Sequence, residues 1–82
     1  MTIFNMKVGQ AGIVRDIEGD PKLAKRLKAL GCVNGTQVKV KLVAPLGDPI
    51  IISFRGFDLA IRKNDAKNIY LNVDSVKFRM KK

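Results

Sequence analysis

The sequence has no histidine and no tryptophan, and its 82 residues include a single cysteine, Cys32. Without histidine it lacks the side chain that most often acts as a general base near neutral pH and most often binds transition metals. One cysteine allows no internal disulfide and no zinc-ligand spacing. Neither a P-loop nor a dinucleotide-binding glycine motif is present. These absences favour a small binding module over an enzyme and predict no cofactor.

Long apolar runs are also missing. No stretch approaches the roughly 20 residues that cross a bilayer, and the first residues do not have the pattern of a signal peptide. We therefore expect a cytoplasmic protein with no membrane span, and the lone cysteine agrees with a reducing compartment. The length predicts one domain with a small core.

Acidic residues are scarce relative to basic ones. Seven acids face 16 bases, giving a formal net charge of +9. The excess is not confined to the end of the chain, because residues 74–82 hold only four of the bases and one of the acids. Such a charge attracts nucleic acid, acidic protein surfaces or anionic lipid, although it also serves solubility.

A helix is predicted near the start of the chain. Asp20 suits the N-cap and Pro21 the first helical position. From residue 22 to 30, Leu23, Leu27 and Leu30 recur at helical spacing. Gly31 then occupies the place of a helix-ending residue. The cations Lys25, Arg26 and Lys28 lie off the leucine stripe and form an outward face, which is either simply solvated or a binding surface.

The remaining chain predicts short strands. The pattern indicates a strand over residues 8–17 and a second one in which Val38, Val40 and Leu42 share the buried face. Further strands are predicted at 50–54, 57–62 and 69–73. The connections are the Asn34-Gly35 turn before the second strand, a loop over 44–49, the turn Arg55-Gly56, and a polar turn or single helical turn at 63–67. Five strands so closely linked predict a mainly β fold, a small bent antiparallel barrel with the one short α-helix plugging an open end. Residues 74–82 make up a basic C-terminal tail in which apolar and basic residues alternate. We expect this tail to fray, as chain termini usually do. The alternatives are that it pairs with a sheet edge in an oligomer, or that it lies on a membrane or a partner.

Other candidate sites have simpler explanations. Cys32 is expected to be a small buried hydrophobe. Asp20 is better explained as a helix cap than as a ligand, and Asp16 and Glu18 as solvated side chains. Nucleic-acid binding fits the charge, but the five aromatic residues form no stacking cluster on any strand.

An ordered set of motifs resembles the FeoA family, small accessory proteins of bacterial ferrous iron transport. The resemblance covers residues 3–73 and rests on the spaced glycines Gly9, Gly12 and Gly19, on Leu30-Gly31 and on Gly35. It continues with the valines Val38 and Val40 and with the loop sequence Ala44-Pro45-Leu46-Gly47-Asp48-Pro49. The last part of the pattern is Gly56, Leu59, Arg62, Ala66 and Ile69.

The resemblance implies an SH3-like barrel over residues 1–73 and a role beside the FeoB-type membrane transporter, which carries a cytosolic GTP-binding domain. It also carries a label of transition-metal binding, for which the residues offer no ligand set. Our main hypothesis is docking on the cytosolic region of such a transporter, and the alternatives are a nucleic-acid-binding or regulatory barrel and direct binding of Fe(II). Exposed sheet edges would also permit a homo-oligomer. The hypothetical partner-binding residues are Lys25, Arg26, Lys28, Pro45, Leu46, Gly47, Asp48 and Pro49.

Overall fold

The computed structural model describes residues 1–73; the predicted basic tail, 74–82, lies outside them. Five strands and two helices follow a 3-10 turn at Ile3–Asn5. The strands are β1 (Ala11–Ile17), β2 (Gln37–Val43), β3 (Ile50–Phe54), β4 (Phe57–Ile61) and β5 (Ile69–Val73), and the helices are α1 (Pro21–Ala29) and α2 (Lys63–Ala66). No helix in this part of the chain has the length and apolar character needed to span a membrane.

All five strands form one antiparallel sheet in the order β4-β3-β2-β1-β5. Strands β2, β3 and β4 follow each other as hairpins, whereas β5 returns across the molecule to pair with β1. The close approach of β5 favours a glycine at position 12, since a Cβ atom there would lie 3.0 Å from the Asn72 carbonyl oxygen and 3.2 Å from the Leu71 side chain. The predicted fold, five antiparallel strands with a short helix after the first, is confirmed, and α2 adds a single helical turn before β5.

The hydrophobic core is one cluster with contributions from every strand. Because the strands at the two ends of the sheet, β4 and β5, send Ile61 and Leu71 into the same cluster, the sheet must curl around it. Leu23 and Leu27 of α1 close the cluster from outside the sheet. The helix therefore covers the core with its leucine stripe, as the sequence predicts.

Both ends of α1 are set by the predicted residues. The Asp20 carboxylate accepts a hydrogen bond from the Lys22 backbone N–H at 2.9 Å, which caps the helix. At the other end Gly31 has a φ of +92°. The N–H groups of Gly31 and Cys32 donate to the carbonyls of Lys28 and Leu27, forming a Schellman motif.

Three details of the sequence prediction are wrong. The first strand begins at Ala11 because Lys7 to Gln10 close a turn, with the Gln10 N–H donating to the Lys7 carbonyl. Leu30 lies after the last helical residue and is 43% exposed, so the leucine stripe ends one turn early. Leu42 faces solvent and is 56% exposed, because the register between β2 and β3 shifts between Val40 and Leu42. Such a β-bulge reverses the alternation of side chains beyond it.

The first residues lie against the last strand. The Leu71 N–H donates to the Met1 carbonyl at 2.8 Å, and Thr2 forms an isolated bridge with Tyr70. The side chain of Lys67 lies over the ring of Phe4, with Nζ 4.8 Å from the ring centroid. These contacts tie the start of the chain to β5.

Candidate docking surface

The loop of residues 44–49 connects β2 to β3 and is closed by its own backbone. The Gly47 N–H donates to the Ala44 carbonyl at 2.7 Å, and the Ala44 N–H donates to the Pro49 carbonyl at 3.0 Å. Gly47 has a φ of +82°, a conformation in which a glycine is favoured. With Pro45 inside the turn and Pro49 after it, the loop has a defined shape before any partner arrives.

Leu46 lies at the tip of this loop with 90% of its surface exposed. The sequence left open whether this leucine contacts a partner or tucks into the mouth of the barrel, and the structure places it in solvent. An exposed leucine on a closed loop is a candidate contact, since its burial by a partner would remove apolar surface from water.

Asp48 has a structural role inside the loop. Its carboxylate accepts a hydrogen bond from the backbone N–H of Lys63, the first residue of α2, at 2.9 Å. This bond satisfies one of the donors left free at a helix start. It fixes the loop to α2, so Asp48 positions the loop whether or not it meets a partner.

The predicted helix cations are all on the surface, but they differ in their partners. Arg26 forms an ion pair of 3.7 Å with Asp65 of α2, and the arginine side chain is 58% exposed. A pair this open contributes little to stability. Lys25 and Lys28 are exposed and form no ion pair with any residue in 1–73. Their charges are therefore available to a partner.

The short helix α2 brings the two halves of the predicted surface together. On the loop side, α2 binds Asp48 through a backbone N–H; on the side of α1, it forms an ion pair with Arg26. The residues that make these two contacts, Lys63 and Asp65, are two positions apart on α2. Sequence reasoning missed this connection, because both contacts join residues far apart in the chain.

The acidic side chains in the described part of the chain are largely engaged within the fold. Asp20 and Asp48 each accept a backbone N–H at the start of a helix. Asp58 forms an ion pair with Lys41 at 2.7 Å, and Asp65 forms one with Arg26. The remaining exposed surface is correspondingly basic. Charge of this sign matches an acidic or membrane-proximal partner surface.

A shallow apolar groove of about 360 Å³ runs beside the helix. Ala24 and Lys28 of α1 form one wall, and Ile17 and Val33 are among the residues opposite. Sequence reasoning missed this groove, since its lining comes from three separate segments. The only sequence signal is Val33, an apolar residue in a turn, which is 40% exposed.

Cys32 lies at the bottom of the same groove but is only 1% exposed. Burial raises the pKa of the Cys32 thiol above its ordinary value of 9.0. A thiol that holds its proton this firmly is a poor nucleophile and a poor metal ligand. The prediction that Cys32 is a small buried hydrophobe is confirmed.

The acids before the helix do not form a chelating set. Asp16 accepts the N–H of Ile17 at 2.9 Å, and Asp20 caps α1. Within residues 1–73 no group of three or more histidine, cysteine, aspartate or glutamate side chains could hold a metal ion. What this surface presents to solvent is one apolar loop tip, Leu46, and the cationic face of α1.

Comparison with known proteins gives a consistent result. A FeoA protein of Chlorobium tepidum, solved by NMR, has a TM-score of 0.88 at 35% identity, covering 92% of this chain and 71% of that one. A FeoA of Stenotrophomonas maltophilia, described as a prokaryotic SH3 domain protein and crystallised with zinc, has a TM-score of 0.76 at 24% identity, covering 88% of this chain and 89% of that one. The likeness confirms the SH3-like fold.

A fusion of the Fe(2+) transport protein A with the Fe(2+) transporter FeoB, from Porphyromonas gingivalis, is 27% identical over 75 residues. The match covers 92% of this chain but spans only 9% of that relative. The family model of the FeoA domain matches residues 1–73. This chain belongs to the FeoA domain family.

Proposed function

We propose that this chain is a non-enzymatic accessory protein of ferrous iron transport that docks on the cytosolic, GTP-binding region of a FeoB-type transporter. The observation that supports this partner is the fusion protein of Porphyromonas gingivalis, in which a related domain and a FeoB transporter form one polypeptide. Fusion holds the two parts of that relative together, which supports association between this chain and a separate transporter of the same kind. The docking surface consists of loop 44–49 and the cations Lys25, Arg26 and Lys28 of α1.

The loop supplies the apolar contact. Leu46 is almost fully exposed in the free protein, so nearly all of its apolar surface remains to be buried by a partner. The loop is already closed by two backbone hydrogen bonds and anchored to α2 by Asp48. A contact on a pre-organised loop loses little conformational entropy on binding.

The helix supplies the electrostatic contact. Lys25 and Lys28 are without ion pairs in the described part of the chain, and the ion pair of Arg26 is exposed enough to be exchanged for a partner carboxylate. Rim charges of this kind act mainly on the association rate and on specificity. Binding should therefore weaken as salt is raised.

The test is calorimetric titration of the full chain into the purified cytosolic domain of the FeoB-type transporter of the same organism, at low and high salt. Leu46→Ala should weaken binding at both salt concentrations. The double variant Lys25→Gln/Lys28→Gln should weaken binding at low salt and flatten the salt dependence. Val8→Ala is the matched control, since Val8 is an apolar residue 60% exposed in a different turn.

Two results would contradict the proposal in different ways. Absence of binding by the unchanged chain would remove the transporter domain as the partner. Binding of both variants with the affinity of the unchanged chain would keep the partner but remove this surface.

A further inference from the structure

A second cavity lies on the outer face of the sheet, away from the core. Its floor follows one row of paired residues across four strands, where Ala11 pairs with Lys39, Lys39 with Ser53, and Ser53 with Asp58. The small side chains of Ala11 and Ser53 leave a depression of about 310 Å³, which Arg55 borders at one end. The side chains of this row alternate with those that face the core, and the core residues Val38 and Phe54 also border the cavity.

The charges around the cavity are unequal. Lys39 and Arg55 are exposed cations with no ion pair to any residue in 1–73. The carboxylate of Asp58 is already paired with the Lys41 ammonium at 2.7 Å. The cavity therefore presents net positive charge together with one carboxylate that can still accept hydrogen bonds, because each oxygen has more than one acceptor position.

Arg55 occupies an unusual backbone position. It has a φ of +50° and, with Gly56 at +85°, forms the two-residue turn between β3 and β4. Asparagine, aspartate or glycine is favoured at that place, so an arginine there is locally unfavourable. Its stem lies beside Gly31, where a Cβ atom would be 3.5 Å from the Arg55 Cδ. An unfavourable residue kept at the rim of a cavity points to a use for its side chain.

We propose that this cavity binds the carboxylate side chain of an extended acidic peptide segment of a protein partner. The Arg55 guanidinium and the Lys39 ammonium donate to the carboxylate, which is the pairing that guanidinium geometry favours. Asp58 accepts a backbone N–H of the same peptide. The site is distinct from loop 44–49, because the two lie at opposite ends of β3, so it is independent of the proposed transporter docking surface.

The mixture of donors and an acceptor favours peptide over nucleic acid. A peptide backbone offers N–H donors to the Asp58 carboxylate beside its acidic side chains, whereas a phosphodiester backbone offers only acceptors. Among residues 1–73, the only ring that lines the cavity is that of Phe54, which is 3% exposed and so offers no open face for base stacking.

The probe is an N-acetylated, C-amidated pentapeptide of alternating glutamate and valine, titrated into the full chain and followed by backbone amide chemical shifts. Shifts should be confined to residues around Ala11, Lys39 and the turn from Ser53 to Asp58. Arg55→Asn and Lys39→Gln should each weaken binding by about tenfold, as the loss of one charge-assisted hydrogen bond predicts. Lys22→Gln, the same charge change at the far end of α1, should leave binding unchanged.

Arg55→Asn also separates function from structure. Asparagine suits the backbone conformation of position 55, so this variant should unfold at the same or a higher denaturant concentration while it loses the peptide. Equal binding of a peptide with glutamine in place of glutamate, or no loss in either cavity variant, would overturn the proposal. Tighter binding of inorganic phosphate or of a thymidine decamer than of the acidic peptide would also overturn it.

Discussion

Replacing Leu46 with alanine should leave the fold intact and cost affinity, and the structure gives the size of each effect. Full burial of a leucine side chain is worth about 2 kcal/mol. Because Leu46 is 90% exposed, about one-tenth of that, roughly 0.2 kcal/mol, supports the folded chain. The remaining part, about 1.8 kcal/mol, becomes available only when a partner covers the side chain, and it corresponds to roughly a 20-fold change in Kd.

Two measurements on the same variant check this division. Urea unfolding should give the same midpoint for Leu46→Ala as for the unchanged chain, and calorimetric titration with the transporter domain should show the weaker Kd. A clearly lowered midpoint would mean that Leu46 packs on the barrel in solution, which would refute the exposure on which the estimate depends. An unchanged Kd with an unchanged midpoint would place Leu46 outside the interface.

Three further predictions concern the stability of the fold. Gly12→Ala should lower the free energy of unfolding by about 1–3 kcal/mol, since the new Cβ would meet the Asn72 carbonyl and the Leu71 side chain; an unchanged urea midpoint would show that β5 can yield. Asp20→Ala should cost about 1 kcal/mol through loss of the helix cap, while Asp20→Asn should not; equal midpoints for the two variants would argue against the cap. Because burial raises the pKa of Cys32, the folded state keeps the thiol proton that the unfolded state loses, so this contribution to stability is complete below the ordinary value of 9.0 and declines as the pH rises above it. In the variant Cys32→Val, the free energy of unfolding should therefore fall less steeply above that pH than it does in the unchanged chain. Parallel pH profiles of the unfolding free energy for the two proteins would contradict this prediction.

The elements that local chemistry determines were predictable from the sequence. Asp20, Pro21 and Gly31 mark the ends of α1, because a side-chain cap and a positive-φ residue act within a few positions of themselves. The hairpin at Arg55-Gly56 follows from its two-residue turn in the same way. The antiparallel arrangement then follows from short strands joined by short connections.

The other misses arise from contacts between distant segments. The outward position of Leu42 depends on a bulge in β2 that only its pairing with β3 reveals. The link from Asp48 to α2 and the ion pair of Arg26 depend on how the chain returns upon itself. The outer cavity likewise needs the register of four strands. A sequence pattern predicts which face of its own helix or strand a residue occupies. It does not predict which residues of other elements that side chain will contact.

The contact between the start of the chain and β5 has a consequence for modular architecture. Since the Met1 carbonyl accepts the N–H of Leu71 and Thr2 bridges to Tyr70, the two ends of the described part, residues 1 and 73, lie close together on one side of the fold. A host polypeptide could accept such a unit, at an end or within a surface loop, without separating its own flanking segments. The barrel is thus shaped as a portable module, in keeping with a relative in which a similar domain makes up a small part of a much longer chain.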